Sequence, residues 1–96
     1  MDIDEHPLAL EARALVAEDG LAFLVSRDGD AHRVDFVGPA GAVVWPRFMH
    51  GPDPLLALLG AEQRYLAEER GRGTVRGHGY LDKARERVRR WEVSRG

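Results

Sequence analysis

The amino-acid sequence predicts an α+β fold in which helices pack on one face of a three-stranded antiparallel meander. Apolar residues recur at helical spacing near the amino terminus, alternate with a period of two between residues 21 and 45, and then return to helical spacing. The segments between the alternating stretches are short and rich in Gly, Pro and Asp, as in antiparallel hairpins. The predicted order is α-β-β-β-α-α, and we expect residues 1–96 to form a single small domain.

The first predicted helix extends from Pro7 to Glu18. Pro7 suits the first helical position, where its missing N–H costs nothing. Asp19 and Gly20 follow the apolar pattern, and Gly20 can adopt the left-handed conformation that often ends a helix. The apolar residues expected on the core-facing side are Leu8, Ala12, Leu15 and Val16.

Three strands are predicted after this helix. The first, Leu21–Val25, is followed at residues 27–30 by a turn that contains Asp-Gly, a strong hairpin signal. The second, Ala31–Val37, alternates clearly between apolar and polar residues. The third, Ala42–Trp45, is expected to end at Pro46, because proline cannot donate to a strand ladder. Residues 47–51 are then expected to be irregular.

The second predicted helix extends from Pro54 to Glu69, with Asp53 as its N-cap. Its apolar face consists of Leu55, Leu58, Leu59 and Leu66. Glu62 falls inside this face, and a carboxylate there must reach solvent or find a partner. We expect Glu62 to reach solvent at the rim, with a buried ion pair or a site as the alternative.

A Gly- and Arg-rich loop at residues 70–79 precedes the last predicted helix, residues 80–93. This helix has a narrow apolar stripe of Leu81, Ala84, Val88 and Trp91. One flank carries Lys83, Arg87 and Arg90, and only Glu86 lies within reach of it along the helix. We therefore expect unbalanced positive charge on this flank.

Charge is distributed unevenly along the chain. Residues 70–96 contain nine basic and three acidic residues, a net charge of +6, whereas the other 69 residues carry a net charge of −8. Such a division is typical of a surface that binds an anionic partner. It also arises when a basic segment packs against an acidic body of the same chain.

The leading functional hypothesis is a non-enzymatic binding or regulatory module that contacts an anionic partner through its basic C-terminal third. Nucleic acid is the first candidate partner and an acidic protein surface the second. Glycines in the loop allow backbone N–H groups to approach an anion closely, and Arg and His side chains can bind its oxygens. The residues assigned to this contact are Arg72, Arg76, His78, Lys83, Arg87 and Arg90.

A protein–protein interaction module or self-associating domain is the alternative. Three short strands leave two sheet edges open, and aromatic residues and methionine are enriched at interface cores. Trp45, Phe48 and Met49 form the candidate rim for such a contact, with a homodimer as one outcome. An enzyme is the third hypothesis and requires Glu62 to meet a histidine, either His50 or His78.

Composition argues against several other classes of protein. The chain has no cysteine, and its four histidines are scattered without metal-ligand spacing, so we expect no cofactor and no metal. An acidic start and the absence of long apolar runs favour a cytoplasmic protein without a membrane partner.

Overall fold

The structure is a computed structural model that describes residues 5–68 and 79–95, and it confirms the predicted α+β architecture. The elements are α1 (Pro7–Ala17), β1 (Ala22–Asp28), β2 (Ala31–Val37), β3 (Val43–Gly51), α2 (Pro54–Glu68) and α3 (Gly79–Arg95). The strands form one antiparallel sheet in the order β1-β2-β3. The helices leave one face of this sheet open, which we call the outer face.

Helix α1 begins and ends close to the predicted positions. The Leu8 N–H donates to Nδ1 of His6 at 3.2 Å, so His6 caps the helix ahead of Pro7. Gly20 has the predicted left-handed conformation, with a φ of 74°. The residues that α1 buries completely are Ala9, Ala12 and Val16.

The β1–β2 hairpin is longer than predicted. Strand β1 continues to Asp28, which pairs with Ala31, so the turn contains only Gly29 and Asp30. Gly29 has a φ of 65°, as two-residue hairpin turns require. The predicted end of the first strand at Val25 was therefore wrong by three residues.

Strand β3 also extends past its predicted end, because Pro46 does not terminate it. The strand continues to Gly51 and includes the segment predicted to be irregular. It lies at an edge of the sheet and its register with β2 shifts twice, between Val34 and Phe36 and between Phe36 and Val37. Edge strands and bulges tolerate proline because the ladder is open or interrupted there.

Asp35 holds the larger bulge in place. This residue of β2 is buried on the outer face, where its Oδ1 accepts a hydrogen bond from the Arg47 N–H at 2.7 Å. Its Oδ2 accepts a second bond from Nη2 of Arg33 at 3.1 Å. Arg47 has a φ of 51°, which is uncommon for any residue with a side chain. The Asp35 carboxylate thus compensates the strained backbone of β3.

Helix α2 is the central element of the core. It begins as predicted, with the Leu56 N–H donating to Oδ1 of Asp53 at 2.9 Å. One side of α2 packs on the inner face of the sheet, where Phe36 and Phe48 have ring centroids 4.3 Å apart. The residues of this cluster are Val16, Val34, Phe36, Phe48, Ala57, Ala61 and Tyr65.

Helix α3 packs on α2 rather than directly on the sheet. A second cluster joins the three helices through Ala9, Ala12, Leu58, Leu59 and Ala84. Gly60 lies close to α3, because a Cβ at this position would lie 2.9 Å from Cδ2 of Leu81 and the Leu81 side chain would have to shift. Among the described helices, none is long and apolar enough to cross a membrane.

The role of Asp35 predicts a measurable cost of its removal. Asp35→Ala leaves the Arg47 N–H and the Arg33 guanidinium without their acceptor, so we expect a loss of about 1–3 kcal/mol in the free energy of unfolding. Urea denaturation measures this change. Glu86→Ala removes an exposed carboxylate from α3 and should change stability by less than about 0.5 kcal/mol. Equal stability of the two variants would contradict the role of Asp35.

Candidate functional site

The predicted basic flank of α3 is divided by the fold. Arg87 turns towards the other helices, where Nη2 lies 2.7 Å from Oε2 of Glu11 and Nη1 donates to Oε2 of Glu62. Lys83 and Arg90 are exposed, and neither forms an ion pair with a residue in the described ranges. The prediction of unbalanced positive charge is therefore wrong at Arg87, whose charge is paired with carboxylates of the same chain.

The structure also corrects the predicted position of Glu62. Its side chain is 1% exposed and lies in the apolar face of α2 instead of reaching solvent at the rim. Burial raises the pKa of Glu62, and the Arg87 guanidinium offsets only part of this effect. The pKa of Arg87 is raised by its two carboxylate partners, against the opposing effect of its own burial.

A second polar network connects α3 to the sheet. The Tyr80 hydroxyl donates to Oε1 of Glu68 at 3.1 Å, and Arg64 Nε donates to Oε2 of the same carboxylate at 2.9 Å. Arg64 also donates to the Phe48 carbonyl oxygen. This chain of contacts links the first turn of α3, the last turn of α2 and strand β3.

Three of the residues assigned to the anionic contact lie outside the described residues, as do most positions of the predicted Gly- and Arg-rich loop. They are Arg72, Arg76 and His78. Their assignment remains a prediction. Gly79, the last residue of that predicted loop, belongs to α3.

The candidate rim residues occupy three different environments. Phe48 is buried in the core beneath the sheet, and Met49 is half-buried beside Gly60. Trp45 is 38% exposed and packs edge-on against Phe48, with ring centroids 4.8 Å apart. The Arg64 guanidinium carbon lies 5.2 Å from the centroid of the Trp45 ring, within the range of a cation–π contact.

Apolar exposure near Trp45 is larger than the sequence indicated. Val43 and Val44, the preceding residues of β3, are 50% and 62% exposed. On the outer face Val43 pairs with Val37, and Val37 pairs in turn with Ala22. Leu24 lies two residues further along β1 and is 46% exposed. We call Leu24, Val43, Val44 and Trp45 the edge patch. Sequence analysis placed Val43 and Val44 in a strand but missed their exposure, which depends on the bulges in β3.

The described residues do not assemble the acid–base pair that an enzyme hypothesis required. Glu62 contacts Arg87, whereas His50 lies on the outer face with Nε2 at 3.4 Å from Oδ2 of Asp28. Within residues 5–68 and 79–95, no three His, Asp or Glu side chains are grouped as metal ligands.

Comparisons of this chain with protein-family models, curated proteins and solved structures find no match.

The environment of Glu62 predicts a pH-dependent stability. A raised pKa means that the folded state holds a proton that the unfolded state releases above the ordinary Glu value of 4.5. The contribution of Glu62 to stability is therefore full below that value and is lost as the pH rises through its folded pKa. Glu62→Gln removes this loss, so we expect the variant to gain stability relative to the wild type as the pH rises above the ordinary Glu value of 4.5.

Urea denaturation across this pH range measures the difference between the two proteins. Glu86→Gln, which neutralises an exposed carboxylate on α3, should follow the pH dependence of the wild type. A constant difference in unfolding free energy between Glu62→Gln and the wild type would contradict the prediction.

Proposed function

We propose that the protein is a non-enzymatic protein–protein interaction module that self-associates through the edge patch. The observation that carries the proposal is the exposure of Leu24, Val43, Val44 and Trp45 at one end of the sheet, with Leu24 and Val43 on its outer face and Trp45 on its inner face. Single exposed apolar residues are ordinary on protein surfaces, but grouped ones are typical of contact sites.

The backbone of β3 favours side-chain packing over strand pairing as the mode of contact. Pro46 cannot donate a hydrogen bond to an added strand, and the register shifts on both sides of Phe36 disturb the pleat. A partner strand at this edge would meet irregularly spaced backbone N–H and C=O groups. Its affinity would have to come from burial of apolar surface.

Trp45 has the properties of an interface anchor. Its ring is held by Phe48 on one side and by the Arg64 guanidinium, so little side-chain entropy is lost when a partner covers it. Tryptophan is among the residues that contribute most to binding energy at interface centres. Val44 is the most exposed member of the patch and is the residue with most surface to bury.

A second copy of the chain is the partner we propose. The four residues of the patch are all uncharged, and the Arg64 charge beside Trp45 is paired with Glu68, so two copies related by a two-fold axis can place the patches together. This arrangement would cover the largest apolar side chains that β3 exposes.

We expect the wild type to sediment as a dimer, at twice the chain mass of 10.7 kDa, and to remain dimeric at high salt because apolar contacts are not screened. Val44→Glu places a charge in the contact and should weaken dimerisation by at least about tenfold. Val93→Glu alters an equally apolar residue of α3 that is 75% exposed and should leave the dimer intact. Analytical ultracentrifugation over a concentration series distinguishes these outcomes, and a wild-type monomer throughout would refute self-association.

Binding of an anionic partner by α3 is a second candidate function. It is supported by Lys83, Arg89 and Arg90, which are exposed and form no ion pair with the described residues. Exposed charges of this kind remain available to phosphate or carboxylate groups. Arg87 contributes less to this surface than the sequence suggested, because two carboxylates already bind it.

Titration with duplex DNA and single-stranded RNA at several salt concentrations tests this candidate. Affinity should fall steeply with salt, with a slope of about 0.7–0.9 for each phosphate contacted. Lys83→Gln with Arg90→Gln should reduce that slope by about 1.4–1.8, because two phosphate contacts are lost. Ala40→Glu with Ala42→Glu changes the net charge equally in an exposed turn and should affect the slope less. A lack of binding at low salt would exclude the nucleic-acid partner.

A further inference from the structure

We propose that a cavity on the inner side of the sheet is a binding site for a carboxylate ligand with an apolar body. The cavity lies between α1, the start of α2 and the edge strand β1, away from α3, and Leu24 is the one edge-patch residue among those that line it. Its volume of about 460 Å³ falls within the usual range for small-molecule sites.

The basic side chains at the cavity come from three separate elements. Arg13 belongs to α1, Arg27 to the end of β1 and His32 to the start of β2. Arg27 and His32 are direct cross-strand partners, so their side chains emerge side by side on the inner face. None of the described residues that line the cavity carries a carboxylate. The described lining thus contains basic side chains and no acidic one.

Arg27 is oriented by its own turn. Its Nε donates to the Gly29 carbonyl oxygen at 3.1 Å, which fixes the plane of the guanidinium group. Within the described part of the chain, no carboxylate pairs with it. An oriented guanidinium with unoccupied terminal N–H groups suits the two oxygens of a carboxylate.

His32 supplies a second polar group that lacks a partner. Its Nδ1 atom is buried and forms no hydrogen bond with any described residue. Burial of such an atom without a partner costs free energy. The atom is closed to solvent, so a ligand satisfies it only when the imidazole ring turns towards the cavity, and the hydrogen bond gained then favours the complex.

The apolar floor of the cavity determines which chemical groups suit the rest of the ligand, beyond its carboxylate. Phe23 and Val25 of β1 are half-buried, and Leu58 of α2 is nearly fully buried beside them. This apolar surface gives no partner to the remaining oxygens of a phosphate or sulfate, but it gains free energy when an alkyl or aryl group covers it. The combination favours an organic acid over an inorganic anion.

Hexanoate and its neutral analogue hexanamide test the proposal with the intact protein. We expect hexanoate to shift the backbone amide resonances of α1, β1 and the start of α2 in two-dimensional NMR spectra, with saturation in the millimolar range or below. Hexanamide should bind at least about tenfold more weakly, because it lacks the charge that Arg27 and Arg13 recognise. Equal affinity for the two probes, or no shift with hexanoate, would overturn the proposal.

Variants locate the site. Arg27→Gln and Arg13→Gln should each weaken hexanoate binding by about tenfold, while Arg85→Gln, which removes an exposed guanidinium of α3, should leave it unchanged. Loss of affinity in Arg85→Gln alone would place the anion elsewhere and overturn the assignment. Hexyl phosphate that binds more tightly than hexanoate would overturn the choice of a carboxylate.

A further probe separates two natural sources of the same chemistry. N-acetylnorleucine carries a comparable alkyl chain beside a carboxylate at the end of a peptide unit. Binding tighter than hexanoate would assign the cavity to a peptide carboxyl terminus, and weaker binding would assign it to a free organic acid.

Discussion

The contact between Arg87 and Glu62 determines how the second half of the chain packs. Glu62 lies in the apolar face of α2, where an isolated carboxylate would be strongly unfavourable. Arg87 supplies the compensating charge from α3 and reaches Glu11 of α1 with its other terminal nitrogen. One guanidinium group thus connects all three helices, and the position of α3 is the one that brings this group to the buried carboxylate.

This contact also changes the meaning of the charge division along the chain. A positive carboxy-terminal segment beside an acidic body favours an external anionic partner when only the sequence is considered. In the folded protein, part of that positive charge forms ion pairs within the chain. Arg87 pairs with two carboxylates, and Arg85 pairs with Asp82. Among the described side chains of this segment, Lys83, Arg89 and Arg90 remain exposed.

The order of elements follows from the sequence because periodicity and turn residues are local signals. The predicted roles of three such residues fit the structure for this reason. Asp53 caps α2, Pro54 is its first residue, and Gly20 has a left-handed conformation. The burial of Glu62 was not predictable, because its partner lies 25 residues away and only the packing of α3 brings the two together. The continuation of β3 through Pro46 has a similar origin, since the bulge depends on Asp35 of the neighbouring strand. Sequence analysis missed the edge patch and the cavity beside β1 because both arise from cross-strand register, which no single segment specifies.

The bond between Arg87 and Glu11 has a consequence for the route by which the chain folds. The two residues are 76 positions apart, whereas the β1–β2 hairpin closes through a two-residue turn. Closing a long loop costs more chain entropy than closing a short one, and non-local contacts generally form late. The hairpin is therefore expected to form early and α3 to join last, after α1 and α2 have brought Glu11 and Glu62 together. By the same reasoning α3 is the element that separates first when the protein unfolds, and a partial opening would expose the Glu62 carboxylate while the sheet stays intact.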